Sequence, residues 1–124
     1  MVTAIREIVS PGTNWQYAAA SGGIVDTADN VLKAAGAAGI KNYLTHIDII
    51  NTDATVGTEV VVKSAATVIW RTFIPASLAA VTQPVPVSFN FPTPLQSAAA
   101  EALNVAAITT SGQVYVNATG YQAP

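Results

Sequence analysis

Three runs between residues 42 and 74 show a two-residue period, which a helix cannot use and a strand requires. In NYLTHIDIINT, Tyr43, Thr45, Ile47 and Ile49 interleave with Leu44, His46, Asp48 and Ile50, as on a half-buried strand. TEVVVKS repeats the pattern, with Val60 and Val62 on one face and Glu59, Val61 and Lys63 on the other. In TVIWRTFIP, Val68, Trp70 and Thr72 alternate with Ile69, Arg71 and Phe73. Residues 64–66 are short enough to join these last two runs as a hairpin. The second run must stop at Ile74, because Pro75 has no N–H to give to a ladder.

The rest of the chain is punctuated in the same style. NWQYAAAS runs to a turn at Gly22-Gly23, and GIVDTADNVLKAAG reads as two short strands around a bend that Asp26 and Asn30 cap. AAGAAGIK is a loop despite its alanines, since Gly36 and Gly39 would each cost about 1 kcal/mol inside a helix. A long connection follows Pro75, with one helical turn expected at residues 76–80. VSFNF is a strand with Val87, Phe89 and Phe91 on one face, Pro92 and Pro94 are expected to end its pairing, and QSAAAE rounds a corner. ALNVAAIT and QVYVNATGY close the chain around a tight turn at Ser111-Gly112. About eight short strands with one long crossing connection predict an all-β fold, an antiparallel β-sandwich of jelly-roll type. Trp70 is expected in the core of a central strand.

Residues 13–124 are expected to form a single domain. Residues 1–12, MVTAIREIVSPG, read as an edge strand or an arm reaching onto a neighbour, so Ile5, Ile8, Val9 and Trp15 are the expected partner interface. Arg6 and Glu7 interrupt what would be the apolar core of a signal peptide, which places the start of the mature chain at or near Met1.

Charge narrows the function classes. Only 10% of residues are charged, against roughly 25% in ordinary soluble domains, so uncharged surface is available for a partner to cover. The five cations are scattered and the net charge is −2, which argues against nucleic acid as a partner. No cysteine is present, which removes disulfides, thiolate nucleophiles and thiolate-bound zinc. No uninterrupted apolar run is long enough for a membrane-spanning helix.

Three groups could carry chemistry. His46, the single histidine, stands two residues from Asp48, which on a strand places both on one face as half of a hydrolase triad. No nucleophile-elbow motif accompanies them, and a solvated pair is the plainer reading. Asp26, Asp29 and Asp53 would suit a hard cation if they converged, but they lack the spacing of a calcium loop. Residues 117–119, NAT, match a glycosylation sequon to which no role is given. With no glycine-rich phosphate loop either, no catalytic, cofactor-binding or metal-binding residue is assigned, and the chain is read as non-enzymatic.

The aromatic WQYAAA opening, TEVVV leading to ATVIWR, FPTPLQ followed by ALNV, and the closing VYVNATGY together resemble small β-rich virion structural proteins of tailed bacteriophages. Capsid decoration, or cement, proteins belong to that group. The resemblance extends over most of the chain after Trp15. It implies a non-enzymatic jelly-roll or sandwich protein, a homotrimer on the outer capsid surface, which clamps the major capsid protein against the pressure of packaged DNA. A tail, neck or spike-associated β-domain is the alternative, and a small hydrolase using His46 and Asp48 a third.

Overall fold

A computed structural model describes residues 13–77, 86–110 and 112–124. They form eight strands: β1 (Thr13–Tyr17), β2 (Asn30–Lys33), β3 (Lys41–Asn51), β4 (Thr58–Ser64), β5 (Thr67–Ile74), β6 (Val87–Gln96), β7 (Leu103–Ala107) and β8 (Val114–Ala123). Two four-stranded sheets result, in the orders β1-β8-β3-β6 and β2-β7-β4-β5, and every pairing is antiparallel.

The topology has a simple generator. β1 pairs with β8, β2 with β7, β3 with β6 and β4 with β5, so the chain is one long hairpin whose tip is the β4–β5 turn. Rolling that double ribbon brings β8 against β3 and β7 against β4, and the two sheets close face to face. This is the jelly roll expected from the sequence.

The core lies between the sheets. Leu44, Ile47 and Ile49 of β3 and Val114, Val116 and Ala118 of β8 meet Val60 and Val62 of β4 and Leu103, Val105 and Ala107 of β7. Each such buried aliphatic side chain contributes about 1.5–3 kcal/mol of transfer free energy. At one rim Trp70 of β5 meets Phe89 and Phe91 of β6 edge-on, with ring centroids 4.9 and 5.5 Å apart, and closes the gap between two edge strands. Trp70 is thus a half-buried edge-strand residue rather than a central one.

Two other expectations shift. The alternation in β3 changes phase, because a bulge between Leu44 and His46 turns Asn42 and Leu44 inward before it and Ile47, Ile49 and Asn51 inward after it. Tyr43 and Thr45 therefore do not share the face of Ile47 and Ile49. Pro92 and Pro94 do not end β6 either. The ladder with β3 jumps from Asn90 to Leu95, so both prolines sit in a wide bulge on an edge strand, where a missing N–H costs no ladder bond, and pairing then resumes.

Polar side chains pin the corner that follows. Asn42, fully buried, donates its amide to the carbonyls of Lys33, Ala34 and Glu101, while its backbone N–H donates to Ser97 Oγ. Ser64 Oγ donates to Glu101 Oε1 at 2.6 Å and accepts from the Ala98 N–H. Residues 97–101 thus turn without forming a helix, held to both sheets. β7 and β8 lie in different sheets, so residues 108–113 cross the sandwich rather than close a two-strand hairpin; Ser111 lies outside the described residues. The expected arm at residues 1–12 and most of the turn at residues 76–80 lie outside them too.

Candidate functional site

Strand register builds a polar grid on the outer face of the β1-β8-β3-β6 sheet. His46 of β3 lies between Thr119 of β8 and Asn90 of β6, and Thr119 in turn faces Gln16 of β1. Two residues along, Asp48 lies between Asn117 of β8 and Ser88 of β6. β3, β8 and β6 each contribute an i, i+2 polar pair, and the residue between each pair, Ile47, Ala118 or Phe89, packs in the core.

Hydrogen bonds run across the grid. His46 Nε2–H donates to Asp48 Oδ1 at 3.0 Å, His46 Nδ1–H donates to Asn90 Oδ1 at 2.6 Å, and the Ser88 hydroxyl donates to the same Asp48 oxygen. Both ring partners as placed are acceptors, which favours the protonated ring. The Asn90 hydrogen bond is the main cause that raises the His46 pKa above 6.5; partial desolvation opposes it and Asp48 adds to it. The Ser88 hydroxyl chiefly lowers the Asp48 carboxyl below 3.8, against desolvation and with help from His46.

Both ring nitrogens are engaged, one by Asp48 and one by Asn90, and neither faces a serine or threonine hydroxyl among the described hydrogen bonds. Ser88 donates to the carboxylate and not to the ring, so the nucleophile–base–orienter order of a hydrolase triad is not built in this cluster. With side chains 30% and 43% exposed, His46 and Asp48 form a solvated surface pair.

Beside the pair lies an open concavity of about 290 Å³, walled by Gln16, Tyr17, His46, Asp48, Asn117 and Thr119. A smaller hollow of about 90 Å³, walled by Ile50, Pro86 and Tyr115, adjoins on the other side of Asp48 and Asn117. Asn117 Oδ1 accepts the Ala19 N–H at 3.0 Å, which fixes the chain leaving β1 as one wall.

A second surface lies on the outer face of the β2-β7-β4-β5 sheet. Phe73 pairs across with Glu59, whose carbonyl accepts the Ile108 N–H; Arg71 and Ala106 flank Val61; and Asn104 lies between Lys63 and Val31. Phe73 is 64% exposed and Val31 and Ile108 are likewise open to solvent, while Val61 and Ala106 are buried among them. Two ion pairs lie here, Arg71 with Glu59 at 2.9 Å and Lys63 with Asp29 at 2.8 Å.

The three aspartates considered for a cation are held apart in separate tasks. Asp26 Oδ1 accepts the Ala28 N–H, and Asn30 donates to the Ala28 carbonyl, the turn capping expected of both. Asp29 pairs with Lys63, and Asp53 caps the Thr55 and Val56 N–H groups, whose hydrogen bonds lower its pKa. Among the described residues no three histidine or acidic side chains converge.

Of the expected interface residues, Ile5, Ile8 and Val9 lie outside the described residues. Trp15 is placed differently from the expectation: it is 6% exposed and packs in the core, because its position on β1 turns inward opposite Gly120. Gln16, Ser88 and Asn90 were passed over in the sequence. For Ser88 and Asn90 the signal is the repeated triplet of polar, apolar and polar residues in HID, NAT and SFN, which becomes informative only once β3, β8 and β6 are known to be neighbours; Gln16 has no such signal. Comparison with protein-family models, with curated proteins and with solved structures finds no match to this chain.

Proposed function

We propose that this chain is a non-enzymatic virion structural protein, a decoration protein that binds the outer surface of the major capsid protein as a homotrimer and stabilises the head. The observation that carries the reading is the outer face of the β2-β7-β4-β5 sheet. Exposed Val31, Phe73 and Ile108 surround buried Val61 and Ala106, and Arg71 with Glu59 and Lys63 with Asp29 form ion pairs among them. Large exposed apolar side chains supply the contact area. Many copies on one particle make modest single contacts sufficient, since neighbouring attachments raise the effective concentration. The bacteriophage resemblance of WQYAAA, ATVIWR, FPTPLQ and VYVNATGY supplies the partner.

The test uses the full chain, native mass spectrometry and co-sedimentation with expanded capsid shells. A trimer that saturates the shells, and loses at least about tenfold in affinity on Phe73→Asp or Ile108→Asp with an unchanged circular dichroism spectrum, fits the reading. A strict monomer that leaves shells bare would overturn it.

A further inference from the structure

We propose that the polar grid on the outer face of the β1-β8-β3-β6 sheet is a carbohydrate-binding site, with Asp48 and Asn117 as its central hydroxyl-reading pair. The inference does not depend on the capsid reading, since it uses the opposite sheet.

Three observations converge on a polyhydroxylated ligand. The first is unspent hydrogen-bonding capacity facing a concavity. Asp48 Oδ1 is taken by His46 and Ser88, and Asn117 Oδ1 by the Ala19 N–H. Among the described residues no hydrogen bond uses Asp48 Oδ2, Asn117 Nδ2 or the Gln16 side-chain amide. A carboxylate oxygen beside a primary amide accepts from one hydroxyl and donates to the next, the pattern that adjacent hydroxyls on a sugar ring require. The second is that these groups are held in place. Asp48 is braced by His46 and Ser88, which are themselves set by the register of β3 and β6, so a ligand meets an arranged carboxylate and not a mobile one. The third is shape. A 290 Å³ concavity and a 90 Å³ hollow meet at Asp48 and Asn117, so the central pair is shared by two adjoining subsites. Tyr115 walls the second and offers ring surface to the apolar face of a sugar.

Charge selects against other ligand classes. One carboxylate, already neutralised by His46, is too little for a divalent cation, which takes six or more oxygen ligands when it is calcium. An anionic ligand finds no lysine or arginine in the lining of either hollow. What remains is a neutral ligand at least two rings long, lying across the Asp48–Asn117 saddle.

The experiment titrates the isotopically labelled full chain with cellobiose, lactose and N,N′-diacetylchitobiose, and follows backbone amide shifts. The expected result is saturable movement of the amides of Asp48, Asn117, Thr119 and Tyr115 with at least one disaccharide, weaker with the matching monosaccharide. Gln16→Ala and Asp48→Asn should each weaken binding by at least about tenfold. The Gln16 side chain makes no hydrogen bond among the described residues, so its substitution should leave the fold intact and keeps the test decisive if Asp48→Asn disturbs His46. No saturable shift with any of the three, shifts that map to the other sheet, or binding unaffected by Gln16→Ala would each overturn the proposal.

Discussion

Gly120 has no room for a side chain. A Cβ there would stand 1.9 Å from the Tyr43 carbonyl oxygen and 2.5 Å from the Trp15 ring, both anchored in the sheet. Gly120→Ala should therefore destabilise the fold by about 3 kcal/mol, read as a lowered urea midpoint. Ala65 shows the reverse case. It opens the β4–β5 turn with φ 49°, a left-handed conformation that costs an L-residue roughly 1–2 kcal/mol. Ala65→Gly removes that cost and restores part of it as unfolded-chain entropy, for a net gain near ~0.5 kcal/mol in thermal unfolding. The His46–Asp48 pair sets a pH dependence. His46 has a raised folded pKa, so its stabilisation is complete below 6.5 and is lost as pH rises through the folded value. Asp48 has a lowered one, so its stabilisation is present above 3.8 and is lost as pH falls through the folded value. The pair is solvent-exposed and worth less than about 1 kcal/mol. His46→Ala should flatten the stability profile from weakly acidic to alkaline pH, and proton NMR should place the wild-type His46 titration above 6.5.

At the scale of elements, period-two alternation was enough to place β3, β4 and β5, since each strand carries its own apolar face. The phase within β3 was not legible, because the bulge at Thr45 answers to β6 and β8 rather than to anything in NYLTHIDIINT. Pro92 and Pro94 were misleading for a related reason: a proline is incompatible with an inner strand but harmless on an edge, and strand order is a long-range property. The polar grid stayed hidden for the same cause. HID, NAT and SFN are unremarkable singly and become a site only when three strands distant in sequence are adjacent. Trp70 tests the rim at this scale. As a half-buried residue locking β5 to β6, it should cost about 2–3 kcal/mol on Trp70→Ala, below the 3–5 of a fully buried tryptophan. Hydrogen exchange in that variant should rise first in β5 and β6, the strands the ring joins.

For the whole molecule, the two proposed surfaces lie on opposite sheets, exposed Val31, Phe73 and Ile108 on one and the polar grid on the other. Binding to capsid shells and binding to disaccharides should therefore be separable: Phe73→Asp affects only the first, Gln16→Ala only the second. The double-ribbon topology also reaches beyond the native state. β8 sits in the middle of its sheet and pairs with β1 and β3, partners such as Ala19 and Asn117 being 98 residues apart in sequence. Of the generating pairs only β4 and β5 are local, so a growing chain on the ribosome can form that hairpin early. Its first sheet has no centre until residues 114–123 emerge. Folding then waits for β8 and has high contact order, and refolding from urea should take milliseconds to seconds. Meanwhile the apolar strands β3 and β4 wait with their inner faces uncovered, the interval in which chaperone capture or misassembly competes with the native roll.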